Sequence, residues 1–389
     1  MSGGAKEQAV NGEAGDRAAN GQAADRASNG EAGNRAVTGE AGSRAVTGTV
    51  EFMQPGAAVS IQDRGRVGHR AIGVPLAGAA DPLLMACANA LLAQPADWAV
   101  LEVALLGPTL RAVGAPVRVA LVGDLAPVRT PHGGAPMPLT SWRSFTLQPG
   151  EQLAVGPCRS GIAYVALAGG VAVPPVLGSR STYARAALGG LDGRAPRVGD
   201  QLACGPGQGA ELQSPTAWQH PHATGPLRVL PGPQEEHFDA EAWQSFLGSE
   251  YSVTPDADRM GLRLQGAALR HVAGMGADIV SEAVAPGAVQ VPGAGQPIVL
   301  GVDAQTIGGY AKIATVISAD LPRLAHARPG SVLRFAVVTR ERALAARVLL
   351  AEALANWVRQ LGPVRAHGEP DEAALYASNL ISGMIDAGE

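Results

Sequence analysis

Three stretches share one plan: QPGEQLAVG at 148–156, RVGDQLACG at 197–205 and RPGSVLRFA at 328–336. Each sets a glycine-centred turn directly before a short apolar run, the sequence form of a tight turn entering a β-strand. Working outward, the short apolar runs at 99–106, 116–122, 161–168, 226–231 and 297–302 read as further strands. Their lengths, and the Gly and Pro between them, favour barrel or sandwich domains. With 51 Gly and 29 Pro among 389 residues, long uninterrupted helices cannot dominate. Aromatics are only 4% while hydrophobic residues are 46%, so Ala, Val and Leu must build the core.

Charge is nearly balanced, 30 basic against 34 acidic residues, which leaves no broad footprint for nucleic acid or anionic lipid. Small polar ligands or protein partners remain. Cys87, Cys158 and Cys204 are odd in number, widely spaced and without a C-x-x-C. They read as reduced thiols of a cytoplasmic protein, with neither a disulfide frame nor a zinc site. No run of about 20 apolar residues is present to span a membrane.

Residues 1–48 are low in complexity and repeat every nine residues as NGEAGDRAA, NGQAADRAS, NGEAGNRAV and TGEAGSRAV. Such a segment is expected to be disordered, and it has no apolar h-region of a signal peptide. Two globular parts are expected at 49–225 and 226–340, joined through a Gly-, Pro-, Gln- and Ser-rich connection at 206–226. GPTLRAVG at 107–114 and GAALRHVAG at 266–274 hint that the halves share a plan. An early helix is signalled by Asp81 as cap, Pro82 in the first turn, and Leu84, Ala88, Leu91 and Leu92 on one face. A C-terminal tail, 341–389, carries a helix pair. Its first helix (341–361) aligns Leu344, Val348, Ala351, Leu354, Trp357 and Leu361, its second spans 371–386, and the pair packs on a barrel or a partner.

P-loop, G-x-S-x-G, H-E-x-x-H and dinucleotide-binding signatures are missing. What remains are polar residues in glycine-framed apolar segments. Asp258 and Arg259 in PDADRMGLRL are either a turn acid beside a surface Arg or a fork for a planar carboxylate or amide. Glu282 is the only charge in IVSEAVAPGAVQVP, so it acts as a base or acceptor in a cleft, or pairs with an Arg. Glu102 poses the same problem, and a structural ion pair is favoured there. VDAQTIGGYAKIA (302–314) is the densest in function. Gln305 and Thr306 precede Gly308-Gly309, which would let backbone approach a ligand, and Tyr310 and Lys312 alternate onto one strand face. Lys6 and Lys312 are the only lysines, so Lys312 invites a role for a compact ammonium at a phosphate or oxyanion. Asp81 either caps its helix alone or also serves a ligand, since the glycine-rich GVPLAGAAD (73–81) before it has the form of a ligand-approach loop. His69 is a titratable candidate, and Ser179, Arg180, Ser181 and Thr182 offer donors to an anion or to a local turn. His220 and His222 lack further metal ligands, and no metal site is expected.

Taken together, SIQDRGRVGHRAIGVPLAGAADP, LEVALLGPTLR, YVALAGGVAVPPVLGSRST, LRVLPGPQ, DADRMGLRL, SEAVAPGAVQVP and QTIGGYAKIA resemble one family over about 50 to 340. It is the biotin-dependent carboxyltransferase-like group, which includes allophanate hydrolase subunit 2, KipA and the C subunit of the ATP-dependent 5-oxoprolinase. The resemblance implies a mainly β chain of two tandem cyclophilin-like β-barrel subdomains with few helices, lettered C (49–225) and D (226–340). It implies one component of an ATP-dependent lactam hydrolase, using ATP with Mg2+ and active in complex with a KipI-like B subunit and a LamB/YcsF-like A subunit. On that reading Asp258, Glu282 and Lys312 are catalytic, while Arg259, Gln305, Thr306, Tyr310 and Asp81 bind substrate. Family motifs usually have Tyr where His69 stands and Gly where Ala283 follows Glu282. Two alternatives share the fold: a carboxyltransferase half acting on urea or a related amide, and a non-catalytic KipA-type antagonist of a kinase inhibitor. This chain has no Met-Lys-Met biotin acceptor, so the carboxyltransferase reading requires a biotin carrier in trans.

Overall fold

In each of the three turn-into-strand stretches the glycine adopts a left-handed conformation, with φ of 85° at Gly150, 84° at Gly199 and 86° at Gly330. The residue after the glycine closes the turn from the backbone: Glu151 N donates to Gln148 O at 2.9 Å, Asp200 N to Arg197 O at 3.1 Å and Ser331 N to Arg328 O at 2.8 Å. The same residue's side chain then accepts from the first N–H of the turn, at 2.7, 2.7 and 3.0 Å. This double closure launches the strands Gln152–Ala154, Gln201–Cys204 and Val332–Leu333. A residue with a Cβ would be strained at the glycine.

The computed structural model describes residues 48–206 and 209–364. The nine-residue repeats and the expected helix at 371–386 lie outside them. Every run read as a strand is one: Val100–Leu106, Val117–Val122, Ala163–Leu167, Leu227–Pro231 and Ile298–Leu300. In the first half a six-stranded sheet and a seven-stranded sheet, the latter completed by Gly362–Pro363 from beyond the second half, enclose one interior, in which Val50, Phe52 and Leu110 of the former meet Leu101, Val103 and Val165 of the latter. The second half is an eight-stranded sheet whose two end strands, Val332–Leu333 and Phe335–Val337, are separated by Arg334 alone. The sheet therefore curls back nearly onto itself. Phe246 stacks on Phe335 inside it at 4.5 Å between centroids. The chain is mainly β, as expected. The echo at 266–274 is not structural, because 107–114 carries a strand and 266–274 carries none.

Helix α1 (Pro82–Ala90) follows the reading in detail: Asp81 Oδ1 accepts from Leu83 N and Leu84 N at 3.0 Å each, and Leu84, Ala88, Leu91 and Leu92 are buried. Helices α2 (Ala240–Gly248) and α3 (Leu321–Leu324) are short. Helix α4 (Arg340–Arg359) departs from expectation in its buried face. Ala346, Leu350 and Trp357 are buried, whereas Leu344 and Val348 face solvent. The reason is that α4 straps both halves: Ala346 and Leu350 pack on Ile317 and Ala319 of the second, and Trp357 joins the α1 layer of the first. No helix among the described residues is long and apolar enough to cross a membrane.

The halves meet along the segment 63–81. Ala77 N donates to Val302 O at 3.0 Å. Gly65 has φ of 83°, and a Cβ there would sit 2.4 Å from Leu76 O. The glycines of this loop thus let the backbone approach itself, where the sequence suggested approach to a ligand.

Candidate functional site

Lys312 begins the strand Lys312–Val316, which packs Ile313 inward and turns Lys312 to the other face. Its side chain is 3% exposed and its Nζ lies 2.6 Å from Glu282 Oε1, whose side chain is 43% exposed. Gln234 Nε2 donates to the same oxygen at 2.7 Å, and its Oε1 accepts from Lys312 N at 3.3 Å. Lys312 and then Gln234 hold the Glu282 carboxyl below its usual range. Glu282 is the one acceptor within reach of the Nζ ammonium among the described residues, and the buried Nε2 of Gln290 has none. Gln290 is registered opposite Lys312 on the neighbouring strand. A buried amide donor without an acceptor and an ammonium with protons beyond its one ion pair fit an anionic oxygen, such as that of a phosphate.

Arg259 occupies a second cluster. Its Nε and Nη2 donate to Asp303 at 2.9 and 2.8 Å, Nη1 donates to Glu102, and Nη2 also donates to Gly78 O at 2.6 Å. Burial works against the charge, but Glu102 and Asp303 outweigh it and raise the pKa further. Tyr164 Oη and Ala80 N donate to the other oxygen of Glu102 at 2.8 and 2.9 Å. Glu102 is thus the structural pair anticipated. The expected carboxylate fork on Arg259 is corrected: its donors are spent on both halves of the chain, leaving no free pair for a ligand. Asp258 is a turn residue, accepting at Oδ1 from Met260 N (2.8 Å) and Gly261 N (3.3 Å), with Arg185 3.6 Å from Oδ2.

Asp81 sits in a third cluster. Besides capping α1, its Oδ2 meets His326 Nε2 at 2.9 Å, and His326 Nδ1 meets Ser160 O at 2.7 Å. A carbonyl and a carboxylate are both acceptors, so both contacts become hydrogen bonds together when the His326 ring is protonated. Burial opposes that charge, yet the bond to Asp81 outweighs it and raises the pKa. The pair borders a cavity of about 690 Å³ that Trp142, Trp218 and His220 also line. Neither nitrogen of His326 is free for proton transfer, which makes it a clamp.

Other expectations resolve locally. Tyr310 and Lys312 do not share a face, because the chain changes sheets at Ala311. Tyr310 is 40% exposed on the two-stranded sheet Asp278–Ala283 with Ile307–Tyr310, while Lys312 is buried. A Cβ on Gly308 would meet Gln290 Nε2 at 2.6 Å, so this glycine admits a side chain rather than a ligand. Thr306 is buried and its carbonyl accepts from Val284 N, while Gln305 is exposed. Donors of the 179–182 cluster converge on Asp63, which takes Ser179 Oγ, Ser181 Oγ and Arg180 N at 2.6, 2.7 and 2.6 Å, so the local network replaces the anion. His69 precedes a single 3-10 turn. His220 Nε2 meets Ala319 O at 2.7 Å. All three cysteines are free and buried, and among the described residues no group of three or more His, Cys, Asp or Glu is placed to hold a metal. Sequence reasoning missed Gln234, Gln290, Asp303, Tyr164 and His326. Gln234 stood in the quoted LRVLPGPQ and Gln290 in an apolar strand, where a lone amide is a signal.

Comparison with known proteins places this geometry in a family. The family described as "Carboxyltransferase domain, subdomain A and B" matches residues 72–337. The chain belongs to that family. The C subunit of 5-oxoprolinase from Escherichia coli (strain K12) is 34% identical over 299 residues, covering 77% of this chain and 94% of that protein. Urea amidolyase of Lachancea kluyveri is 29% identical over 74% of this chain but only 17% of its own length. In structure, the K. lactis urea amidolyase superposes with a TM-score of 0.71 at 24% identity over 83% of this chain, which spans about a fifth (20%) of that one. That similarity bears on the fold alone.

Proposed function

We propose that this chain is the C subunit of an ATP-dependent 5-oxoprolinase, opening the 5-oxoproline lactam to L-glutamate in a complex with A and B subunits. One observation carries the reading: the similarity to a 5-oxoprolinase C subunit runs over nearly all of that relative, 94% of its length, whereas the urea amidolyase match is a fragment. The partners proposed are a KipI-like B subunit and a LamB/YcsF-like A subunit.

The chemistry fits the Lys312 cluster. A lactam carbonyl is a poor electrophile. Transfer of the γ-phosphoryl group of ATP to its oxygen, releasing ADP, makes the ring carbon attackable by water. The ring C–N bond then breaks, the nitrogen gains a proton, and a second water cleaves the acyl phosphate left behind to the carboxylate and free phosphate. Lys312 Nζ and Gln290 Nε2 donate to phosphoryl or carbonyl oxygens, where negative charge grows. Glu282, ionised and solvent-facing, accepts the proton of the attacking water. Gln234 orients Glu282, and Mg2+ supplied with ATP would offset phosphate charge. Arg259, with no free fork, instead holds the halves that position this face.

The test is reconstitution of the chain with its partner subunits and measurement of ADP and glutamate formed per 5-oxoproline. Stoichiometric ADP and glutamate support the proposal. Carboxylation of urea from carboxybiotin, without ADP formation from 5-oxoproline, would replace it with the carboxyltransferase reading.

A further inference from the structure

The carboxylate of 5-oxoproline needs a cation of its own, and Arg259 cannot supply it because its donors are engaged within the chain. Arg70 is a cation with an unused donor. It opens the 3-10 turn Arg70–Ile72 of the first half and crosses to the second, where its Nη2 donates to Val284 O. Its Nη1 is buried and has no acceptor. Among the described residues no carboxylate pairs with it, and burial lowers its pKa with no acid opposing the shift. A part-buried guanidinium without a counter-ion is costly, and an anion that pairs with it removes that cost.

The anchor of Arg70 lies against the Lys312 cluster. Val284 directly follows the strand Asp278–Ala283, which carries Glu282 two positions earlier. A Cβ on Gly308 would meet both Gln290 Nε2, at 2.6 Å, and Val284 Cγ1, at 3.1 Å, so the unpartnered amide and Val284 flank one glycine. Val284 N donates to Thr306 O at 3.0 Å, which fixes the peptide beside the carbonyl that Arg70 holds. Two residues of extended chain span about 7 Å, the scale of one small molecule with a lactam oxygen at one end and a carboxylate at the other. We propose that Arg70 recognises the α-carboxylate of the lactam substrate and so selects 5-oxoproline over lactams that lack one, an inference that rests on the 5-oxoprolinase reading. Nη1 supplies the donor that Val284 O does not occupy, and a guanidinium suits a carboxylate better than any other cation in the chain. Gly68 and Gly73 frame the turn, with φ of 91° and 85° and open space around each, so the turn can shift to bring Nη1 onto a ligand.

The test compares 5-oxoproline with 2-pyrrolidinone, the same ring without the carboxylate, by titration calorimetry of the complex with its partner subunits and no ATP. The natural complex is expected to bind 5-oxoproline at least about tenfold more tightly, and Arg70→Gln to bring the two within about threefold, with Arg70→Lys restoring part of the preference. Each affinity is read independently of the fraction folded, which appears in the stoichiometry. A preference that survives in Arg70→Gln overturns the inference, as do equal affinities, or no binding, in the natural complex. ADP and glutamate formation by the same preparations reports separately on the reaction. A preference lost in Arg70→Gln, without turnover by the natural complex, would remove the 5-oxoprolinase reading and leave the carboxylate site standing. Turnover with an unchanged preference would do the reverse.

Discussion

Replacing Arg259 by Met tests the clamp between the halves. The substitution keeps much of the aliphatic volume but deletes four hydrogen bonds, two to Asp303 and one each to Glu102 and Gly78. It strands two carboxylates whose side chains are only 4% and 12% exposed. Breaking a buried pair from one side costs about 3–5 kcal/mol. Because the Arg259 side chain is 27% exposed, solvent screens part of the interaction and the expected loss is about 3 kcal/mol. The assay is urea unfolding followed by tryptophan fluorescence and far-UV circular dichroism, with the loss read from the midpoint at constant slope. In a cycle with Glu102→Gln the two changes should couple by about 1 kcal/mol or more. A loss below about 1 kcal/mol, the range of an exposed pair, would refute the assignment of Arg259 as a buried clamp.

Three further outcomes are expected. Gly65→Ala should destabilise by about 2 kcal/mol or more, since a left-handed conformation and a backbone contact at 2.4 Å both oppose a Cβ. Gly68→Ala, with φ of 91° but open space around it, should lose only the conformational part, which thermal unfolding of both variants distinguishes. The His326 clamp has a folded pKa raised above its unfolded value of about 6.5, so its stabilisation is complete below that pH and fades as pH rises through the folded pKa. The stability difference between the natural chain and His326→Gln should shrink with rising pH, and growth instead would contradict the assignment. Lys312→Met should raise the pKa of Glu282, read from the pH dependence of its carboxyl carbon resonance, because the ammonium is the first cause of its depression.

Local features were legible and long-range polar partners were not. The three glycine turns, the α1 cap and the strands follow from residues a few positions apart. Glu102 in an apolar run demanded a partner, and an ion pair was the right expectation, yet Arg259 lies 157 positions away. The same distance problem hid Gln234 from Glu282 (48 positions) and His326 from Asp81 (245 positions). Lys312 stood out because lysine is rare here, and Glu282 because it is a lone charge. That they pair depends on the crossing of two strands. Strand alternation misled at Tyr310 because the period-two rule ends where the chain leaves one sheet for another. The helical stripe of α4 misled for a different reason: its apolar residues wrap two faces, and the face that strapping buries is set by Trp357 and α1.

The most direct test of the Lys312–Glu282 cluster as the working site is 5-oxoproline-dependent ATP turnover by the complex containing Lys312→Met, with assembly verified by co-purification. Loss of a preorganised donor to developing charge predicts a fall of about 10²–10³-fold in kcat with the complex intact. Unchanged turnover from an assembled Lys312→Met complex would contradict it and move the chemistry elsewhere.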